Sequence, residues 1–405
     1  MKTVAIISEY NPFHTGHEYQ IKKIREEMGA DTRIIAIMSG NYTQRGEIAV
    51  MDKSLRAESA VRCGVNLVLE LPFPYSISSA EFFAQSGVKI ADSLGVVDFL
   101  SFGSELGDIN QLILVADNMS SSEYKNTLTE SLASTDVRNL GYPKICENIY
   151  RRLYNSTISS DFFTPNNILA LEYIKALSNQ KSKIVPHTIK RSGAGYSEKE
   201  ITKDEFQSAS AIRNLFCEDL NSALEYIPKN SINTILSAYK SGQFPCDNEK
   251  LSCAIISHFR LNSPTAETDI HDAAGGLYNR LLTASLEANS ISRLTALADT
   301  KKYTTARIRR AIWYSFFGVT SSTVKELPAY TQVLAMDSVG RAILKEVKKM
   351  TGFPIVTKPS AFDFLPDVAK RQKMLADKAD SIFHLTKPDI PAGNTSLKTS
   401  PYLMD

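Results

Sequence analysis

Val4-Ala5-Ile6-Ile7-Ser8-Glu9-Tyr10-Asn11-Pro12-Phe13-His14-Thr15-Gly16-His17 is the stretch that decides the fold. Its short apolar run reads as a buried strand, Asn11 and Pro12 break it, and Ile21, Ile24 and Met28 across Glu18–Met28 recur at helical spacing. Two imidazoles therefore stand where a strand hands over to a helix. A helix start offers free N–H groups and a dipole that favours negative charge, so His14 and His17 there suit phosphate, and Gly16 lets backbone approach a ligand closely. Two histidines beside a glycine can also simply cap a helix or fill a core corner, and the strand–turn–helix setting is what favours phosphate. Zinc is set aside, because no CxxC, HExxH or third histidine lies nearby.

Outward from this unit the first half alternates strands with helices, the pattern of a parallel sheet with crossovers. Arg33–Met38 forms the next strand, followed by the polar loop Ser39–Glu47 and a helix opening near Asp52 as N-cap. Val65–Leu71, a helix over Ser79–Leu94 and the strand Val97–Gly103 come next. The strands are apolar nearly throughout, as strands covered on both faces should be. Residues from about Asp108 to Phe163 read as a polar helical insertion, after which Pro165-Asn166-Asn167 starts a helix and Ile184–Ile189 a further strand ending in Lys190-Arg191. Ligands of such sheets sit at strand carboxyl ends, where the tetrad, the Ser39–Glu47 loop, Gly103-Ser104-Glu105 and Lys190-Arg191 all fall. Ser208-Ala209-Ser210-Ala211-Ile212-Arg213 opens another helix and forms either a second phosphate cradle or a plain N-cap at Ser208.

From about Asn221 the periodicity is helical, with no strand alternation. The expected architecture is α/β. A Rossmann-like parallel sheet spans 1–220, with the helical insertion at about 108–163; a mainly α-helical domain spans 221–385, and a loosely ordered Pro- and Gly-bearing tail 386–405. Read as a helix, Lys301–Tyr314 puts Ile308, Ala311 and Ile312 on one face and Tyr303, Arg307, Arg310 and Tyr314 on another. A basic face with aromatics suits an RNA backbone and an unstacked base, although an ordinary solvated face has the same composition.

Composition narrows the class. The 405 residues are 43% hydrophobic and carry a net charge of only +2, so a nucleic-acid surface has to be local. Cys63, Cys146, Cys217, Cys246 and Cys253 show no metal spacing and read as reduced cytosolic thiols. The chain opens in a strand rather than a leader and holds no long apolar run, so a soluble, cytoplasmic protein is expected, with no membrane association and no obligate protein partner evident.

His14-Thr15-Gly16-His17 resembles the HxGH signature of class I nucleotidyltransferase-like enzymes. Together with Ser8–Phe13, Ser39-Gly40-Asn41, Phe102-Gly103-Ser104-Glu105, Pro165-Asn166-Asn167-Ile168-Leu169 and Lys190-Arg191, in that order, it resembles the tRNA(Met) cytidine acetate ligase family. That resemblance implies an enzyme that activates acetate with ATP, through acetyl-adenylate, and acetylates the exocyclic amine of the wobble cytidine of elongator tRNA(Met). It further implies an ATP site built from Ile7, Ser8, Glu9, Tyr10, Asn11, Pro12, Phe13, His14, Thr15, Gly16, His17, Glu18, Tyr19 and Gln20, completed by Gly103, Asn167 (in preference to Asn166) and Arg191. His14 and His17 would stabilise charge at the α-phosphate, and Arg191 would hold the β- and γ-phosphates. Mg²⁺ would accompany the triphosphate, though no carboxylate pair announces a protein metal site. The family carries a basic, tyrosine-containing helix near residue 305, which implies tRNA contacts from Lys301, Lys302, Tyr303, Arg307 and Arg310; Thr305 stands where a further basic residue is expected. A small-molecule adenylyltransferase and a non-catalytic tRNA-binding protein remain as other readings.

Overall fold

A computed structural model of the chain describes residues 1–133, 142–154, 158, 162–191, 207–265, 268–393 and 400–405. The strands are β1 (Thr3–Ser8), β2 (Arg33–Ser39), β3 (Leu67–Leu71), β4 (Phe99–Ser104), β5 (Val185–Lys190), β6 (Thr331–Met336), β7 (Ile355–Val356) and β8 (Tyr402–Leu403). They form one sheet in the order β5-β4-β1-β2-β3-β6-β7, with β8 beside β6. β1 to β5 pair in parallel, β1 and β2 in the register Thr3↔Arg33 to Ser8↔Met38.

Alternation along β1 shows why its apolar run is continuous. Val4 and Ile6 face α1 (Thr15–Met28) and α2 (Lys53–Arg62), where they join Ile21, Ile24, Ala57 and Ala60. Ala5 and Ile7 face α3 (Ala80–Ser93) and the Pro165–Asn179 helix, where they join Phe83, Val88, Leu171 and Ile174. Each side chain leaves water, a gain of about 1.5–3 kcal/mol for a fully buried large aliphatic, and neither face stays wet. Strand order reverses between β1 and β4, and the crevice above that reversal is where such sheets bind ligands.

The insertion is helical over Ile109–Ser120, Ser122–Ala133 and Tyr142–Tyr154, while 134–141, 155–157 and 159–161 lie outside the described residues. It is less polar than its composition suggests, because Tyr124, Ile145, Ile149 and Tyr150 join the core of the Pro165–Asn179 helix.

The second half is mainly helical, as expected, with two differences. β6 pairs antiparallel with β3, Leu67 opposite Met336, so the chain returns to the sheet of the first half. Thr331–Met336 carries only four consecutive apolar residues, Val333 to Met336, too few for a period that separates strand from buried helix. The halves also share cores: Tyr42, Ile48 and Phe73 pack with Ile255, Leu281, Ile308 and Trp313, and Val50 and Met51 with Ile212, Phe216 and Ile235. The boundary expected near Asn221 therefore falls within a shared core.

The tail departs from expectation likewise. Lys387 Nζ lies 2.9 Å from Asp52, the Asp389 N–H donates to the Gly242 carbonyl at 2.8 Å, and β8 pairs with β6; residues 394–399 lie outside the described residues. These ties are backbone pairing and single ion pairs, which leave no pattern in composition.

Candidate active site

Above the strand reversal the carboxyl ends of β1 and β4 open into a cleft of about 870 Å³. Its floor and first wall come from the turn after β1. Tyr10 lies in the left-handed region at φ 45°, the Asn11–Pro12 bond is cis, and Asn11 Oδ1 accepts from the Val50 N–H at 2.8 Å. Phe13, 1% exposed, packs edge-on against Tyr10 at 4.8 Å between ring centroids and tilts against His17 at 5.5 Å, which seats the histidine ring.

Both imidazoles spend one nitrogen on the helix start. His14 is the N-cap of α1, and its Nδ1 accepts from the Gly16 N–H at 3.0 Å; His17 Nδ1 accepts from the His14 N–H at 3.3 Å, a reciprocal capping box. The rings lie 3.9 Å apart, centroid to centroid. Burial, with the charges of Arg191 and Arg213 adding to it, pushes His14 down to about 3. Burial, then His14 and Arg191, holds His17 well below its ordinary value. Two neutral rings whose Nδ1 atoms accept carry their protons on Nε2, so the pair presents two N–H donors side by side. Preorganised neutral donors suit an oxyanion whose charge grows during reaction. The helix itself contributes less than expected: the Thr15 N–H donates to the Tyr226 carbonyl at 2.9 Å and the Gly16 N–H is taken by His14, so the donors offered to a ligand are the imidazoles rather than these backbone groups.

Cations face the pair. Arg191 lines the cleft at the end of β5, anchored by its N–H to the Ser104 carbonyl at 2.9 Å. Gly103 makes room for it, since a Cβ there would lie 3.1 Å from Arg191 Cγ. Arg213 donates to the Asn11 carbonyl at 3.0 Å and to Glu47 at 2.9 Å. Ser208 serves as N-cap of the Ala209–Glu218 helix, accepting from the Ala211 N–H at 3.2 Å, and Ser208, Ser210 and Arg213 line the cleft together. Glu9, whose carboxyl burial pushes up, accepts from the Gln44 N–H at 2.9 Å and fastens the Ser39–Glu47 loop to β1.

Arg56 on α2 holds this floor from beneath. Fully buried, its guanidinium donates to the carbonyls of Met51 (3.0 Å), Glu9 (2.5 Å), Ser39 (3.2 Å) and Gly40 (2.6 Å), tying the ends of β1 and β2 together. Nothing in the helical period marks it, because it occupies a position that reads as surface.

Of the residues implied for the nucleotide, Ile7, Ser8, Glu9, Tyr10, Asn11, His14, His17, Gln20, Gly103 and Arg191 line the cleft. Pro12, Phe13, Thr15 and Gly16 belong to the same turn and helix start without lining it, Glu18 pairs with Lys22 at 3.2 Å, and Tyr19 lies beneath Lys23. The asparagines divide the task differently from expectation. Asn167, 2% exposed, accepts from the Glu105 and Leu106 N–H groups at 3.0 and 3.2 Å and donates to the Phe162 carbonyl at 2.8 Å, so it holds the turn after β4. Asn166 is the one whose residue faces the cleft.

The basic, tyrosine-bearing segment is largely turned inward. Tyr303 donates to the Gly275 carbonyl, Lys302 reaches the same oxygen at 2.7 Å, Arg307 donates to the Asp272 and Ala274 carbonyls at 2.9 and 3.0 Å, and Arg310 pairs with Asp272 at 2.6 Å. These bonds engage much of the face expected to meet RNA: a helical period separates faces but does not say what a distant loop will place against each. Lys301 and Lys302 keep exposed residues at the turn before the helix. The Thr305–Phe317 helix touches the cleft rim elsewhere, where Arg309 pairs with Glu47 and Trp313 Nε1 donates to the Gly46 carbonyl at 3.1 Å.

A doubly covered parallel sheet with paired neutral imidazoles and two arginines at its strand reversal defines a nucleotidyltransferase-like protein with a triphosphate-type site. Residues 1–396 match the family model described as HIGH Nucleotidyl Transferase. The chain is 38% identical over 371 residues to a tRNA(Met) cytidine acetate ligase of a Thermoanaerobacter species, covering 89% of this chain and 90% of that one, and 34% identical over 415 residues to one of Clostridium perfringens, covering 100% of both. The crystal structure of Thermotoga maritima TmcAL bound with alpha-thio ATP superposes with a TM-score of 0.90 at 31% identity over 100% of both chains. The chain belongs to the tRNA(Met) cytidine acetate ligase family.

Proposed function

We propose that the protein joins acetate to elongator tRNA(Met) at the expense of ATP, in two steps within this cleft. An acetate oxygen attacks the α-phosphorus, pyrophosphate leaves, and acetyl-adenylate forms. The exocyclic amine of the wobble cytidine then attacks the acetyl carbon, AMP leaves carrying the acetate oxygen, and N4-acetylcytidine results. The observation that carries this reading is the pair of imidazoles of His14 and His17, each accepting a backbone N–H at Nδ1 so that Nε2 is left to donate, facing Arg191 and Arg213 across the cleft. The imidazoles stabilise charge gathering on the α-phosphate oxygens, while Arg191, with Arg213 and the Ser208–Ser210 helix start, takes the β- and γ-phosphates and the departing pyrophosphate. Gly103 and Asn166 border the nucleoside, and Asn167 acts through the turn it holds.

Mg²⁺ would ride on the triphosphate. The cleft's carboxylates are already engaged, Glu9 by Gln44, Glu47 by Arg213 and Arg309, and Glu105 by Asn166 and Asn167, so phosphate oxygens and water would hold the ion, shielding charge as pyrophosphate departs. For the tRNA, Lys301 and Lys302, the latter exposed while bonded to the Gly275 carbonyl, offer cations beside a helix that borders the cleft through Arg309. A tRNA substrate and the free thiols of the described cysteines support a cytoplasmic setting. No helix among the described residues is long and apolar enough to cross a membrane.

The test is incubation with ATP, radiolabelled acetate and an unmodified elongator tRNA(Met) transcript. Acetylcytidine in the tRNA, lost in His14→Ala and His17→Ala, is expected. ATP cleaved to AMP without label in the tRNA would point instead to a small-molecule adenylyltransferase, and tRNA binding without cleavage to a non-catalytic protein.

A further inference from the structure

On the sheet face away from the histidines the cleft has a second compartment. α3 and the Pro165–Asn179 helix both begin at the cleft and run down the same face, over β1 and β4. Ala80 and Phe83 line the cleft from the first turn of α3, and Leu169 and Tyr173, four residues apart, line it from one stripe of the other helix. Ile7 and Phe102 lie between them at the ends of β1 and β4, with the Phe102 and Tyr173 rings 5.5 Å apart. Below this level the slot ends: Gly87 lets α3 settle onto β1, and a Cβ there would lie 2.6 Å from Ile7 Cδ1.

The chemistry of this slot differs from that of the rest of the cleft. Its walls are hydrocarbon and aromatic, whereas the arginines and the Ser208–Ser210 helix start stand elsewhere. Its deep polar groups among the described residues are the Tyr173 hydroxyl, 2% exposed and without a hydrogen-bond partner among them, and the Glu9 carboxyl, whose charge acts on that hydroxyl and whose own burial pushes it towards the protonated form. Thr164 Oγ1, beside the mouth, is likewise buried without a partner among them. Leaving a buried hydroxyl unmet costs about 1–3 kcal/mol, so these groups are suited to a ligand that brings a polar atom next to a small apolar one. An acetate has that shape: one methyl beside one carboxylate.

We propose that this slot is the acid-binding subsite, in which the methyl of a short carboxylic acid packs on Phe83 and Phe102, a carboxylate oxygen accepts from the Tyr173 hydroxyl, and Phe83 limits the length of acid admitted. The assignment rests on the adenylation reading above and deepens it by naming what selects the acid. A hydrocarbon pocket discriminates one methylene by about 10- to 200-fold, which is the range a single aromatic wall can supply.

Two measurements test it on the full chain. In ATP- and tRNA-dependent AMP formation, Phe83→Leu, which keeps an apolar core residue, and Leu169→Ala at the rim should each raise the propionate-to-acetate ratio of kcat/KM by about tenfold, with KM for ATP within twofold of the parent; the expected size follows from the methylene discrimination. Tyr173→Phe should raise KM for acetate by about tenfold, the loss of one hydrogen bond, and leave KM for ATP unchanged. A propionate-to-acetate ratio unmoved in both slot variants overturns the assignment, as does a rise in KM for ATP with acid preference kept, which would place adenine in the slot. Line broadening of the acetate methyl by protein loaded with α,β-methylene-ATP reads the slot without turnover: broadening by acetate over propionate that Phe83→Leu evens out supports the slot, and its absence overturns it. A parent protein that shows this binding preference yet makes no AMP would overturn the ligase reading and keep the slot.

Discussion

Lowering the pH should destabilise the unliganded protein through His14, and the structure sets the size of the effect. Folding takes this imidazole from an ordinary value of 6.5 to about 3, chiefly by burial. Because the folded value is the lower one, the unfolded chain binds a proton below pH 6.5 that the folded chain refuses. Stability from this site is therefore fully present above pH 6.5 and is lost progressively as pH falls towards 3. At pH 5 the gap is about 1.5 pH units, which at 1.36 kcal/mol per unit gives a loss of about 2 kcal/mol relative to pH 7. His17 acts in the same direction. His14→Asn isolates the site, since an asparagine oxygen can accept the Gly16 N–H that Nδ1 now accepts, and asparagine is a favoured N-cap that does not titrate. Urea unfolding followed by circular dichroism at pH 7 and pH 5 should show the variant losing about 2 kcal/mol less than the parent over that interval. If the two lose stability in parallel, to within about 0.5 kcal/mol, His14 is not held neutral by the fold and the donor argument for the site fails.

Other outcomes follow from neighbouring contacts. Arg56→Met should lower unfolding stability by about 4 kcal/mol in urea titration, because it strips the charged donor from three carbonyls at the ends of β1 and β2 and from that of Met51 ahead of α2. Gly46→Ala should cost at least about 2 kcal/mol by the same assay, since Gly46 has φ +76° and a Cβ there would lie 2.5 Å from Arg309 Cβ and 2.7 Å from the Arg310 backbone nitrogen. Arg307→Ala should lower thermal stability while leaving tRNA affinity in filter binding within twofold, whereas Lys301→Glu should weaken tRNA binding and do so more at low salt.

What the chain reveals without coordinates follows from the range of each signal. β1, its turn and the histidine pair are legible because a short apolar run, Asn11-Pro12 and the HxGH spacing are local; so are Gly103 and Arg191, which fall at strand ends. Contacts across long separations are not. Whether the Tyr303–Arg310 face meets RNA or protein depends on the 272–276 loop, and the part of Asn167 depends on a turn some sixty positions earlier, between Glu105 and Leu106. β6 escaped because its four apolar residues, Val333 to Met336, are too few to declare a period. Arg56 escaped because a guanidinium serving four backbone carbonyls resembles any helix-surface arginine until the loop it serves is in place.

The central claim is attack of acetate on the α-phosphorus at the paired imidazoles. It is tested most directly by running the complete reaction with ¹⁸O-labelled acetate, ATP and elongator tRNA(Met), and weighing the products by mass spectrometry. The account predicts one ¹⁸O in AMP, none in pyrophosphate, and loss of AMP formation in His17→Ala. Label in inorganic phosphate or pyrophosphate, or AMP without label, would contradict it.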